Sequence, residues 1–309
     1  MTHRRFVTLD VFTDRPLAGN PLAVVLDAQG LDGAAMQAVA REFNLSETVF
    51  VLPPEEARHR ARLRIFTPAQ ELPFAGHPTV GTAVLLALRD RADRPAAALA
   101  DAVAFGLEEG IGVVSCAVEG GTDGASGRAR FKLPILPRYL GEAAARDALA
   151  EALGLKPAEI GFNRHGPSRH GAGPSFTFVP LASQDALDRA RLDPARFERL
   201  FQDGPGDALY LYALDPEGIG HRYQARMFAP HLGVAEDPAT GSAAAAFAGV
   251  LMQFEPLGEG THDVLIRQGR AMGRPSAIDL QLVIAEGGLR SVEIGGQAVV
   301  VSEGTLHVG

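Results

Sequence analysis

One cysteine, Cys116, stands in 309 residues, and tryptophan is absent. A lone thiol excludes an intrachain disulfide and any cysteine-based zinc site, and it fits a reducing compartment. Cys116 lies in an apolar, β-prone run, where an inert core thiol is expected. Positive charge is also short: 29 Lys plus Arg face 37 Asp plus Glu, for a net charge of -8. Such a chain has no general attraction for phosphate backbones or anionic lipid, so neither nucleic acid nor a membrane is expected as a partner. Long apolar runs are missing too. The uncharged stretch from Pro238 to Phe254 falls short of the roughly 20 apolar residues of a bilayer span. It also holds Thr240, Ser242 and two glycines, and reads as a buried helix. The apolar stretch after Arg4 and Arg5 is broken at Asp10, too short for a signal peptide, so a cytoplasmic location is expected. No Gly-x-Gly-x-x-Gly turn lies between a strand and a helix near the start, so no nicotinamide cofactor, or any other, is indicated. His165 and His170 sit in the Gly/Pro-rich stretch Gly161 to Pro174 without helical spacing or a nearby carboxylate. They read as solvated loop histidines, and no metal is expected.

What is present is ordinary globular composition, 46% hydrophobic against 21% charged, and a length that suits two domains. Arg5 to Asp27 reads as a hairpin. Asp32 to Phe43 has the spacing of a helix ending at Asn44, and Thr48 to Leu52 is a strand. Arg60 to Thr67 alternates cleanly, with Ala61, Leu63 and Ile65 on one face. A helix follows over Thr79 to Ala92, entered through a Gly76-His77-Pro78 turn. Strands return over Val103 to Val118 and Arg128 to Leu133, separated by the glycine-rich stretch Gly120 to Gly127. The domain boundary is placed there: residues 1–124 form the first domain and 125–309 the second, with the last strand free to return to the first. In the second, helices are expected at Ala143 to Leu153, Pro194 to Phe201 and Pro238 to Leu251. Its strands are expected at Ser175 to Leu181, Ala208 to Ala213, Gly220 to Phe228 and in a closing set to Val308. The class is α+β.

The chain also echoes itself. Arg64-Ile-Phe-Thr-Pro68 returns as Arg226-Met-Phe-Ala-Pro230, and Gly76-His-Pro-Thr-Val-Gly-Thr-Ala83 returns as Glu236-Asp-Pro-Ala-Thr-Gly-Ser-Ala243. In this alignment Pro78 matches Pro238, Gly81 matches Gly241, and His77 faces Asp237. Two echoes in the same order suggest two domains of one strand-turn-helix design, related by a pseudo-twofold axis, offering helix N-termini to a common cleft. Exposed N–H groups there would hold a carboxylate or phosphate, which favours small acidic metabolites.

Among candidate chemical groups, Glu47 lies directly before an apolar strand, where partial burial would raise its pKa and suit it to shuttle a proton. On its own it reads as a solvated charge at a strand start, and only its context argues otherwise. His77 could move a proton near neutral pH or be a turn residue, and Asp237 could orient a polar group or complement a helix start.

Ser46-Glu47-Thr48, Phe74-Ala-Gly-His-Pro-Thr79, Arg226-Met-Phe-Ala-Pro230 and Glu236-Asp-Pro-Ala-Thr-Gly-Ser-Ala243 resemble the signatures of the phenazine-biosynthesis PhzF-like family. Asn20-Pro-Leu-Ala-Val24 and Met272-Gly-Arg-Pro-Ser276 look like two more. The matches run in order from about Val7 to about Ser276, nearly the whole chain. The resemblance implies a diaminopimelate-epimerase-like fold: two pseudo-symmetric domains, each with strands wrapped around a central helix, an active site in the cleft between them, and a homodimer. It implies Glu47 as general acid/base, with His77 and Asp237 orienting the substrate. Gly76, Gly241 and Ser242 would hold its carboxylate, and Asn20 and Ser46 would add substrate contacts. The implied chemistry is cofactor-independent isomerisation by proton transfer on a small cyclic or unsaturated acid.

Two rivals remain in view. A racemase or epimerase on this fold would need two opposed acid/base groups, typically cysteines, at the turns that lead into the two helices, where this chain has none. A non-catalytic small-acid binding protein would keep the turns without the chemistry, and the presence of Glu47 speaks against it.

Overall fold

Alternating apolar residues and well-placed caps set the first elements in the computed structural model, which describes residues 2–92, 102–121, 123–201, 207–216 and 221–308. Strand β1 (Thr2–Val11) pairs antiparallel with β2 (Asn20–Val25), from Phe6 opposite Val25 to Val11 opposite Asn20. Helix α1 (Gly33–Phe43) starts on Asp32, whose carboxylate accepts from the Ala35 N–H, and stops on Asn44 in the left-handed conformation. Strand β3 (Glu47–Leu52) runs parallel to β2 and antiparallel to β4 (Ala61–Phe66), which buries Ala61, Leu63 and Ile65 as the alternation requires. The short β5 (Glu71–Leu72) folds back on the end of β4.

Helix α2 (Gly76–Ala92) begins earlier than the sequence suggests: Gly76, His77 and Pro78 are its first turn, not a turn leading into it. A proline is tolerated there because first-turn N–H groups have no intrahelical acceptor. Its residues from Gly76 to Leu88 are buried all round, which makes α2 the central helix of its unit. Strands β6 (Val103–Glu109), β7 (Gly112–Gly120) and β8 (Ser126–Lys132) form an antiparallel run beside it.

The second half starts with β9 (Arg138–Glu142) and α3 (Arg146–Leu153). Residues 161–174 are not a solvated loop, because β10 (Ser168–Gly171) lies within them, paired to β9 and to β11 (Ser175–Pro180). His165 and His170 are buried accordingly, 4% and 1% exposed. After α4 (Gln184–Arg189) and α5 (Pro194–Leu200), β12 (Ala208–Leu214) runs parallel to β11 and antiparallel to β13 (Arg222–Ala229). Gly220, the expected first residue of that strand, is outside the described residues. Strand β14 (Val234–Asp237) folds back on β13, and α6 (Gly241–Phe254) follows, buried through a run of four alanines, Ala243 to Ala246. Strand β15 (Gly260–Gln268) runs parallel to β13. The chain closes with β16 (Ser276–Ala285) and β17 (Gly288–Val308).

By packing, the chain divides into two units: Met1–Pro134 with Arg274–Ala277 and Ile294–Gly309, and Ile135–Gly273 with Ile278–Glu293. The division falls at Pro134, beyond the glycine-rich stretch Gly120 to Gly127, one residue of which is not described. The reason is that β8 is hydrogen-bonded to β7, with Cys116 opposite Phe131. The end of β17 lies along β1, from Thr2 opposite Val308 to Val11 opposite Ala298. Among the described residues no helix is long and apolar enough to cross a membrane.

Candidate active site

Strand register defines what corresponds to what in the two units. Phe66 lies opposite Thr48, and Phe228 opposite Leu209, so the echoed Phe residues hold the same place. From that anchor Glu47 corresponds to Ala208. On the other edge Ile65 faces Leu72 and Met227 faces Asp237. Leu72 therefore corresponds to Asp237, and Glu71 to Glu236. Both helices begin at the same distance beyond, at Gly76 and Gly241. The similarity of Gly76–Ala83 to Glu236–Ala243 thus does not mark equivalent positions: His77 matches Ser242 at the second helical residue, while Asp237 sits at the end of a strand.

Matching forks brace the approaches to α2 and α6. Arg64 grips Glu71 through Nε and Nη2 at 2.7 and 2.6 Å, and Arg226 grips Glu236 at 2.8 and 2.9 Å. Each guanidinium also lies over the echoed ring, Phe66 at 5.1 Å and Phe228 at 4.9 Å. Arg226 is the more deeply held, donating Nη1 to the carbonyls of Leu187 and Ala190.

In the first unit the structure brings Glu47 and His77 together. Glu47 opens β3, His77 is in the first turn of α2, and their Oε2 and Nε2 atoms are 3.4 Å apart. That is longer than a settled hydrogen bond. The Glu47 side chain keeps 17% exposure while that of His77 keeps 5%. Burial drives the His77 imidazole far down from its usual range, to about 3. Full desolvation is the cause, so the ring is neutral at physiological pH. Gly76 precedes His77, Ser46 precedes Glu47, and Asn20 is fully buried at the start of β2.

Asn20 is reached by a loop that the sequence does not explain. Arg274, from the Met272-Gly-Arg-Pro-Ser276 motif, donates to the carbonyls of Gly19 and Ala18 at 2.8 and 2.6 Å and pairs with the buried Asp10. Asp10 also accepts the Leu17 N–H at 2.6 Å, so one arginine from late in the chain fixes the approach to Asn20.

In the second unit Asp237, Gly241 and Ser242 are gathered around the start of α6. The Thr240 hydroxyl donates to Asp237 Oδ2 at 2.6 Å. The buried Gln268 clasps the same turn: its Nε2 donates to the Asp237 carbonyl at 2.8 Å and to Thr240 Oγ1 at 2.9 Å, and its Oε1 accepts the Thr240 N–H at 3.2 Å. Gln268 lies 28 residues from Thr240, and local spacing gives no sign of it.

Two histidines belong elsewhere. His165 is held between Tyr212 OH at 2.9 Å and Glu255 Oε1 at 2.8 Å, so a carboxylate does lie beside it, supplied from the C-terminal end of α6. His170 is buried against Tyr139 and Phe178. Among the described residues no group of three His, Cys, Asp or Glu side chains is placed to hold a metal.

Comparison with known proteins decides the family. The profile described as "Phenazine biosynthesis-like protein" matches residues 9–304. The chain belongs to the PhzF family. A trans-2,3-dihydro-3-hydroxyanthranilate isomerase of Pseudomonas aeruginosa is 38% identical over 98% of this chain and 99% of its own length. An uncharacterized isomerase of Mesorhizobium japonicum is 47% identical with full coverage of both chains. A crystal structure of a PhzF-family phenazine biosynthesis protein from Bacillus anthracis superposes with a TM-score of 0.86 at 24% identity, covering all of both chains. The PhzF fold is the diaminopimelate-epimerase-like α+β fold, and this PhzF-like chain is an isomerase.

Proposed function

We propose that Glu47 is the single general acid/base of this isomerase, removing a proton from one carbon of a small cyclic or unsaturated carboxylic acid and returning it to another. The Glu47–His77 approach carries the reading: a partly exposed carboxylate stands against a buried, neutral imidazole. A neutral ring can hydrogen-bond to a substrate heteroatom or steady Glu47 without adding a second charge. Asp237, held by Thr240, takes the role of orienting a substrate hydroxyl or amine. First-turn N–H groups at Gly76, Gly241 and Ser242 suit the substrate carboxylate, and Asn20 and Ser46 complete the contacts. The register counterpart of Glu47 is Ala208, so a two-base epimerase would lack its second group at that position.

Proton removal and return by one carboxyl group needs no cofactor, redox partner or metal. The hydroxyanthranilate named for the Pseudomonas relative is the first candidate substrate. The net charge of -8 favours neither nucleic acid nor anionic lipid as a partner. A homodimer in the cytoplasm completes the proposal.

The test is NMR in deuterated buffer with a panel of small unsaturated acids, that hydroxyanthranilate included. One acid should take up deuterium at a single carbon as its double bond moves. Acids that bind without exchanging would point to a binding protein instead.

A further inference from the structure

Glu109, the last residue of β6, is buried, with 8% exposure. Its Oε1 lies 2.8 Å from the Thr79 hydroxyl, and that hydroxyl lies 2.8 Å from the carbonyl of Ala75, the residue before α2 begins. A threonine hydroxyl has one proton to give. If Glu109 were ionised, one of those two oxygens would face Thr79 Oγ1 with no hydrogen between them. A proton on Glu109 resolves the count, because Glu109 then donates to Thr79 and Thr79 donates to Ala75. Oε2 of Glu109 is buried without a hydrogen-bond partner among the described residues, which a neutral carbonyl oxygen tolerates better than a carboxylate.

The second unit carries a comparable relay through a threonine at a different place, just before its helix rather than in its first turn, with a side chain that is always neutral. Leu107 lies opposite Ala61 on β4, and Ile266 opposite Tyr223 on β13, so Glu109 corresponds to Gln268, each the final residue of its strand. Gln268 donates to the Thr240 hydroxyl, which donates in turn to Asp237, beside the first residue of α6. We propose that Glu109 is a positioning residue which, as a neutral carboxylic acid, takes the part that Gln268 plays in the other unit and fixes the start of α2, and with it His77. The consequence for His77 rests on the functional reading above; the relay itself does not.

The surroundings agree. Burial pushes the Glu109 carboxyl up to about 8. On β7 the Cys116 thiol is raised by burial and then by the charge of Glu109. On α2, His77 sits two positions before Thr79 and so on another side of the helix. The adjacent Glu108 points to the opposite face of β6, beside His59 and in register with Arg62. The Glu55 and Glu56 N–H groups, together with His59, hold Glu108 down to about 2. Consecutive carboxyl groups thus take opposite protonation states.

Infrared difference spectra of the full chain at pH 7, wild type minus Glu109→Gln, test the protonation directly. A protonated-carboxyl band present in wild type and missing from the variant is expected; its absence overturns the proposal. Thermal unfolding and kcat test the positioning. Glu109→Gln should keep the wild-type Tm at pH 6, while Glu109→Ala and Thr79→Val lower it. Those two variants should also lower kcat by roughly ten- to a hundred-fold through misplacement of His77. Glu109→Gln should flatten the fall in wild-type kcat above about pH 8. Glu109→Gln behaving like Glu109→Ala would overturn the proposal. Should no acid be turned over at all, the spectra and melting curves still decide it.

Discussion

The strand-turn-helix unit built from β3, β4, β5 and α2 and the one built from β12, β13, β14 and α6 share a register, a bidentate Arg–Glu fork and a ring beneath the arginine. They differ in what is mounted on that frame. The first presents Glu47 and His77, and the second presents Ala208 and Ser242 at the same places, with Asp237 added at the strand end. The shared register accounts for the scaffold. Under the proposed function, proton transfer falls to the first unit and substrate orientation to the second.

The sharpest way to break this division is at Glu47. Glu47→Gln should leave folding intact and reduce kcat by about a hundred- to ten-thousand-fold, the usual worth of a general acid/base, whereas Ala208→Gly should leave the rate near wild type. Steady-state kinetics on both variants checks it.

The two forks offer a comparison of stability. The Arg226 side chain is 7% exposed and that of its partner Glu236 17%, against 29% and 41% for Arg64 and Glu71. Arg226→Ala would strand a largely buried carboxylate, 17% exposed, and break two carbonyl contacts, at a cost of about 3 kcal/mol. Arg64→Ala should cost about 1 kcal/mol or less, because solvent screens that pair. Denaturant unfolding of the two variants measures the gap.

Much of this frame is legible in the residues. The alternation in Arg60–Thr67, the Asp32 and Asn44 caps and the echoed Arg-x-Phe strands all carry local physical signals, and the structure places those elements there. The clasp residues carry no such signal. Gln268, Glu109 and Arg274 act across long stretches of chain, and an isolated polar residue at a strand end looks like a solvated one. The same blindness placed His165 and His170 in solvent. Similar letters also misled, since the likeness of Gly76–Ala83 to Glu236–Ala243 is offset by five residues from the correspondence that strand pairing sets.

Smaller effects refine the comparison. Gln268→Ala removes the acceptor of the Thr240 N–H, at a cost of about 1–3 kcal/mol, and one donor to the Asp237 carbonyl. It should raise KM as Asp237 loosens, which kinetics and unfolding together would register. His77 supplies a pH signature. Its folded-state pKa lies below its unfolded value, so the unfolded chain binds a proton first. Wild-type stability should fall as pH drops from 6.5 towards about 3, and His77→Gln should fall less over that window. Because the ring in the folded protein stays neutral down to about 3, the rate profile should show no step near 6.5.

The division of labour between the units rests on Glu47 as the only base, and solvent exchange tests that most directly. Substrate is incubated with wild type and with Glu47→Gln in deuterated buffer, and NMR follows uptake at the reacting carbons while ligand binding is monitored in parallel. The account predicts uptake with wild type and none with the variant, at unchanged binding. Uptake by Glu47→Gln at the wild-type rate would contradict it and place the base elsewhere.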